Sequence, residues 1–225
     1  MSRVLPILFN TEMVRAILAG RKTVTRRLIT PHNKKRAKEQ RYCQGNGLWI
    51  DPSIDNGDKE GHIKDYSLSP LWMSWGWYIK NYAPYKPGDI LYVRETWCNA
   101  NKEGVELDYY YFADTLICED YDSTEWKWSP SIHMPKGAAR IWLKVTDVRV
   151  EHLQSMTLDN FLAEGIVIRP EAFNDPENAY RQAKANFMNI WNSTIKGLDR
   201  SRYGWDENPW VWTIEFERCE KPENK

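Results

Sequence analysis

At 225 residues with 31 basic and 31 acidic side chains, the chain is formally neutral, so its global charge singles out no polyanionic partner. Its length suits one substantial core, and the sequence predicts a single domain over 1–225 with 30–84 as an insertion. Its four cysteines and four histidines are scattered without a CxxC pair or zinc spacing, so neither a metal nor another cofactor is expected. No apolar run is long enough to span a membrane. The stretch 4–9 is interrupted by Pro6 and is shorter than a signal h-region, which predicts a cytoplasmic, reduced protein with no membrane partner.

Charge is unevenly distributed. From Arg15 to Arg41 there are ten basic residues against the single acid Glu39, whereas eight acids fall between Glu103 and Glu125. Such polarity predicts one positive and one negative face, an arrangement that steers an anionic ligand. Twelve tryptophans exceed ordinary core needs and are compatible with a base-stacking surface.

In chain order, 4–9 reads as a first strand. Asn10 or Thr11 caps a helix with Met13, Val14, Ile17 and Leu18 at helical spacing, and Gly20 ends it. After Gly20 come Arg21, Lys22, Thr23, Val24, Thr25, Arg26 and Arg27. If extended, this segment places Lys22, Val24 and Arg26 on one face and Thr23, Thr25 and Arg27 on the other. Two readings stand: a basic edge strand that discourages pairing, or a phosphate-facing wall with a lysine and a threonine beside it.

Residues 30–84 keep neither period for long. A charged run at 33–41, a Gly/Asp-rich stretch at 51–61 and an aromatic cluster from Trp72 to Tyr85 predict irregular structure packed by its aromatics. Regularity returns with a Lys86, Pro87, Gly88, Asp89 turn and a strand at 90–97. A strand at 109–112, an acidic loop and a long strand at 139–150 follow. Thr157 caps a short helix ending at Glu164 and Gly165, and Asp175 with Pro176 opens the longest helix. A strand at 209–217 closes the series. About five strands with a few helices and no βαβ alternation predict an α+β fold, a small mixed β-barrel with short helices at its rim. Arg94, Glu95 and Trp97 are further ligand-binding candidates: Arg94 and Glu95 are expected to pair with each other in preference to facing the pocket, and Trp97 to join the core in preference to stacking a base.

The order of these motifs resembles the ASCH domain, a small barrel of the PUA-like superfamily, and in particular its longer phage and prophage members. The resemblance rests on 20–27, 86–97, 129–166 and 205–218, with 30–84 outside it. It implies binding of RNA or a modified nucleoside. One small bacterial branch hydrolyses N4-acetylcytidine with a lysine, a threonine and a glutamate, which implies Lys22, Thr25 and Glu164 as the catalytic positions here. Arg21, Arg26 and Arg27 then become ligand-binding candidates, although position 26 is apolar in that branch. The chemistry is coherent, since a threonine hydroxyl needs a neighbouring base and a lysine among cations can act as one. Because Lys22 and Thr25 fall on opposite faces of an ideal strand, the trio requires a bend at Thr23 or Val24. Three expectations follow: an amidohydrolase, a non-catalytic reader of RNA, single-stranded nucleic acid or a modified base, and a phage accessory protein that meets a protein partner through 30–84.

Overall fold

The computed structural model describes residues 2–29, 48–50, 62–65, 72–74, 79–80, 82–99, 109–115 and 127–223. The fold is α+β. Its main sheet pairs five strands in the order β1 (Val4–Leu8), β6 (Ile90–Arg94), β9 (Trp142–His152), β10 (Trp210–Cys219) and β2 (Val24–Leu28). The sheet is mixed: β1 runs parallel to β6, whereas β6–β9 and β10–β2 are antiparallel. Strand β2 ends the order among the described strands; it takes in Val24 to Arg27 of the basic segment, and Arg21 and Lys22 precede it.

Two sequence expectations are corrected. The insertion is not wholly irregular, because β3 (Leu48–Ile50), β4 (His62–Asp65) and β5 (Trp72–Ser74) form a three-stranded antiparallel sheet. Neighbouring strands supply the ladder bonds whatever the local periodicity. The basic run 33–41 and the stretch 51–61 lie outside the described residues. The strand expected at 90–97 is two strands, with Glu95 and Thr96 between β6 and β7 (Trp97–Asn99); β7 pairs with β8 (Tyr109–Tyr111) instead of continuing β6.

The chain falls into two compact units: Met1–Thr23, Pro87–Thr146 and Phe216–Lys225 form one, and Val24–Lys86 with Asp147–Glu215 form the other. In the first, helix α1 (Thr11–Leu18) is capped by the Asn10 side chain, which accepts from the Met13 amide, and it buries Val14, Ala16 and Ile17. A second apolar cluster gathers Met134, Ala138, Ala139 and Trp142, with Tyr92, Trp97 and Tyr111 packed against it. The second unit is built around Phe161 of helix α2 (Leu158–Ala163). Its ring lies 5.5 Å from Phe187 and 6.3 Å from Trp205. Helix α3 (Pro176–Thr194) starts where Asp175 accepts from the Glu177 and Asn178 amides. It contributes Ala179, Ala183, Phe187 and Trp191 to that core, a period of about four that follows its apolar face.

Candidate functional site

In the first unit, the end of α1 sets the position of Lys22. Gly20 adopts φ 71°, a left-handed conformation that glycine takes without a Cβ penalty, and the chain then turns so that both the Arg21 and Lys22 amides donate to the Ala16 carbonyl. Lys22 is only 2% exposed, and its Nζ lies 5.7 Å from the centroid of the Phe9 ring. Arg21, one residue earlier, is exposed.

In the second unit, β2 begins at Val24, with Thr25 opposite Ile214 and Arg26 opposite Thr213 on β10. Alternation along the strand sends Thr25 and Arg26 to opposite faces, and both are buried. The expected phosphate wall is therefore corrected at Arg26: its side chain is 1% exposed and faces carboxylates. Arg26 Nη1 donates to Glu164 at 3.2 Å and Nη2 to Glu151 at 3.1 Å. Glu164 owes its place to the short helix α2. Thr157 and Asn160 form a reciprocal capping box at the N-terminus, and Gly165, at φ 88°, closes the other end behind Glu164.

Glu151 is the hub of this cluster. Thr213 Oγ1 donates to its Oε2 at 3.0 Å, and the Arg149 guanidinium donates to Oε1, to Asp147 and to Glu215. Burial alone would push the Glu151 carboxyl up, but the donors Arg149 and Thr213 and the charges of Arg26 and Arg149 outweigh it and hold it below the usual value. Arg149 is pushed up, because these carboxylates outweigh its own burial. Burial lowers the half-buried Arg27 from its ordinary value, an effect opposed by Tyr85 and Glu164.

Glu95 and Arg94 belong to the first unit and do not pair with each other as expected. Arg140 holds Glu95 through two hydrogen bonds of 3.0 Å, and Arg94 donates to the Ile132 carbonyl. The break after β6 turns Glu95 inward, where it is 1% exposed. Burial raises its carboxyl above the usual range against the opposing pull of Arg140. Arg140 also binds Asp114 and lies 3.9 Å from the centroid of the Tyr111 ring. Trp97 is half-buried and meets Tyr109 edge-on at 5.7 Å.

The structure thus brings Arg26 against Glu164, places Lys22 against Phe9, and puts Glu95 in a separate clamp. Lys22, Thr25 and Glu164 are all buried. Sequence reasoning missed Arg149, Glu151 and Arg140. A signal for the first two existed: Asp147, Arg149 and Glu151 alternate with other residues along β9, a charged stripe at period two. Among the described residues no group of His, Cys, Asp and Glu could hold a metal ion, and no helix is long and apolar enough to cross a membrane. A cavity of about 530 Å³ in the second unit is lined by Val167, Ile168, Arg169, Pro170, Gln182 and Asn186, none of them a predicted site residue. Compared with known proteins, the chain matches no family model, no curated protein and no solved structure.

Proposed function

We propose that this chain is an ASCH-type protein of the PUA-like class, with the barrel closure that class implies, and that it binds a modified nucleoside or RNA and removes the acyl group from an N4-acetylcytidine-like substrate. The observation that carries the reading is which polar side chains are buried. Seven polar or charged residues are buried among those described, and five of them, Lys22, Thr25, Arg26, Glu95 and Glu164, are residues that the sequence had already singled out as site candidates. Interior placement of polar groups is unfavourable unless they are satisfied, and functional sites are where chains retain it.

In the chemistry the resemblance implies, the Thr25 hydroxyl attacks the acyl carbonyl as Lys22 takes its proton, and that same proton, relayed through the Glu164 carboxylate, goes to the departing exocyclic amine. The C–N bond breaks, cytidine leaves, and water releases the acyl group from Thr25 as a carboxylic acid. A second reading, a reader without turnover, is favoured by the Arg26–Glu164 ion pair, because a carboxylate fixed by a guanidinium suits hydrogen-bond acceptance from a base. Purified protein incubated with a panel of N4-acylated cytidines, with products followed by chromatography, separates them. Turnover supports hydrolysis, binding alone supports the reader, and neither result removes both.

A further inference from the structure

Arg26 carries more donors than its neighbours use. Both Nη atoms are engaged by Glu164 and Glu151, yet its buried Nε meets no acceptor among the described residues. The cause is local. A carboxylate beside an arginine ordinarily takes Nε and Nη2 together through its two oxygens. Here Glu151 meets only Nη2, through the Oε2 that it shares with Thr213, while its Oε1 accepts from Arg149. The result is a guanidinium side chain 1% exposed, fixed through one N–H of each Nη, whose Nε has no partner among the described residues. Buried donors are rarely left in that state; Arg94 Nε, Trp97 Nε1 and Trp128 Nε1 share it among the described residues, and Arg26 differs from them in sitting against Glu164, a candidate site residue.

The charge around Arg26 restricts which acceptor its Nε can meet. Glu151, Glu164, Asp147 and Glu215 supply four carboxylates, and Arg26, Arg149 and Arg27 supply three guanidiniums. A phosphate would add negative charge directly beside the Glu151 and Glu164 carboxylates, each of which already takes an N–H from one Nη atom. A carbonyl oxygen needs one donor and brings no net charge.

We propose that Arg26 is a specificity-determining residue whose Nε–H receives an uncharged carbonyl oxygen of the ligand, a pyrimidine O2 or an acyl-amide oxygen, while the surrounding carboxylates exclude phosphate from that position. The inference rests on the nucleoside-binding reading and is independent of hydrolysis. Its test is a titration of wild-type protein followed at the Arg26 Nε–H resonance, assigned by its loss in Arg26→Lys, with cytidine, N4-acetylcytidine and inorganic phosphate as probes. A nucleoside should shift that resonance and phosphate should leave it unmoved. Calorimetric Kd for the nucleoside should rise at least ~10-fold in Arg26→Lys, which keeps the charge and loses the guanidinium donor. Nucleoside binding without turnover leaves the inference standing and removes hydrolysis. Nucleoside binding that never moves the resonance overturns the inference and leaves the nucleoside reading intact; absence of any nucleoside binding overturns both. A resonance that responds to phosphate, or an unchanged Kd in Arg26→Lys, also overturns it.

Discussion

Arg26 and Glu164, 138 residues apart in the chain, form an ion pair at 3.2 Å with side chains 1% and 4% exposed. One comes from strand β2 and the other from the residue that follows helix α2, so each helps to fix the other's element in the second unit. At this depth the pair is held by geometry and desolvation together, and removing one member is a larger perturbation than removing both. Arg26→Met and Glu164→Gln should therefore be strongly non-additive, with a coupling of about 1–3 kcal/mol in urea denaturation of the single and double variants. Additive losses would mean that the two side chains are held independently.

The same logic applies to the clamp in the first unit. Arg140→Met strips the guanidinium from a carboxylate that is 1% exposed, and should destabilise by about 3–5 kcal/mol. Adding Glu95→Gln to that variant should recover part of the loss, because the buried charge is then gone. Thermal or chemical unfolding of the three variants provides the measurement.

Acid and base should act on the two units with opposite sign. Glu151 lies below its ordinary value of 4.5, so its stabilising contribution is complete above that value and is lost as pH falls through the folded value. Glu95 lies above 4.5, so its contribution is complete below that value and is lost as pH rises through the raised one. Stability measured across the acid range should lose its low-pH decline in Glu151→Gln and its higher-pH decline in Glu95→Gln. An unchanged profile in either variant would show that another group governs that limb.

For the catalytic reading, Lys22→Ala, Thr25→Ala and Glu164→Gln should each lower kcat on an N4-acylated cytidine by at least ~10²-fold. Their double variants should lose little more, as expected of groups acting in one relay. All three positions are buried, so stability losses above the ~0.5 kcal/mol typical of surface changes should accompany them, and kcat must be read on protein shown to be folded. A reader would show weakened binding in Lys22→Ala and no turnover in any form.

RNA binding, if present, has a distinguishing salt signature. Arg21 is exposed and Arg26 is buried, so on the RNA-binding reading only the first would meet phosphate. Arg21→Ala should flatten the log–log salt slope by roughly 0.7, one phosphate's share for a single strand, whereas Arg26→Met should leave the slope unchanged. A flattened slope in Arg26→Met would place phosphate where the carboxylates lie.

Local signals in the sequence located most elements. Asn10 and Thr157 cap the helices assigned to them, Gly20 and Gly165 take left-handed turns where helices end, and Asp175 with Pro176 opens the longest helix. These are events within four or five residues, where side-chain and backbone groups of one segment meet each other. The α+β class was legible for the same reason, through the periods of its helices and strands.

What the sequence by itself determined, then, was where helices and strands begin and end, and which polar residue types cluster near 20–27. Tertiary structure alone decided which members of that cluster face inward: Arg21 is exposed, while Lys22, Thr25 and Arg26 are buried. It also chose Arg140 over Arg94 as the partner of Glu95, and it paired the short strands within 30–84. The physical reason is common to all three. A charge's environment and a strand's ladder are set by groups distant in the chain, as when Glu164 and Glu151 reach Arg26, and neither periodicity nor composition records who those neighbours are.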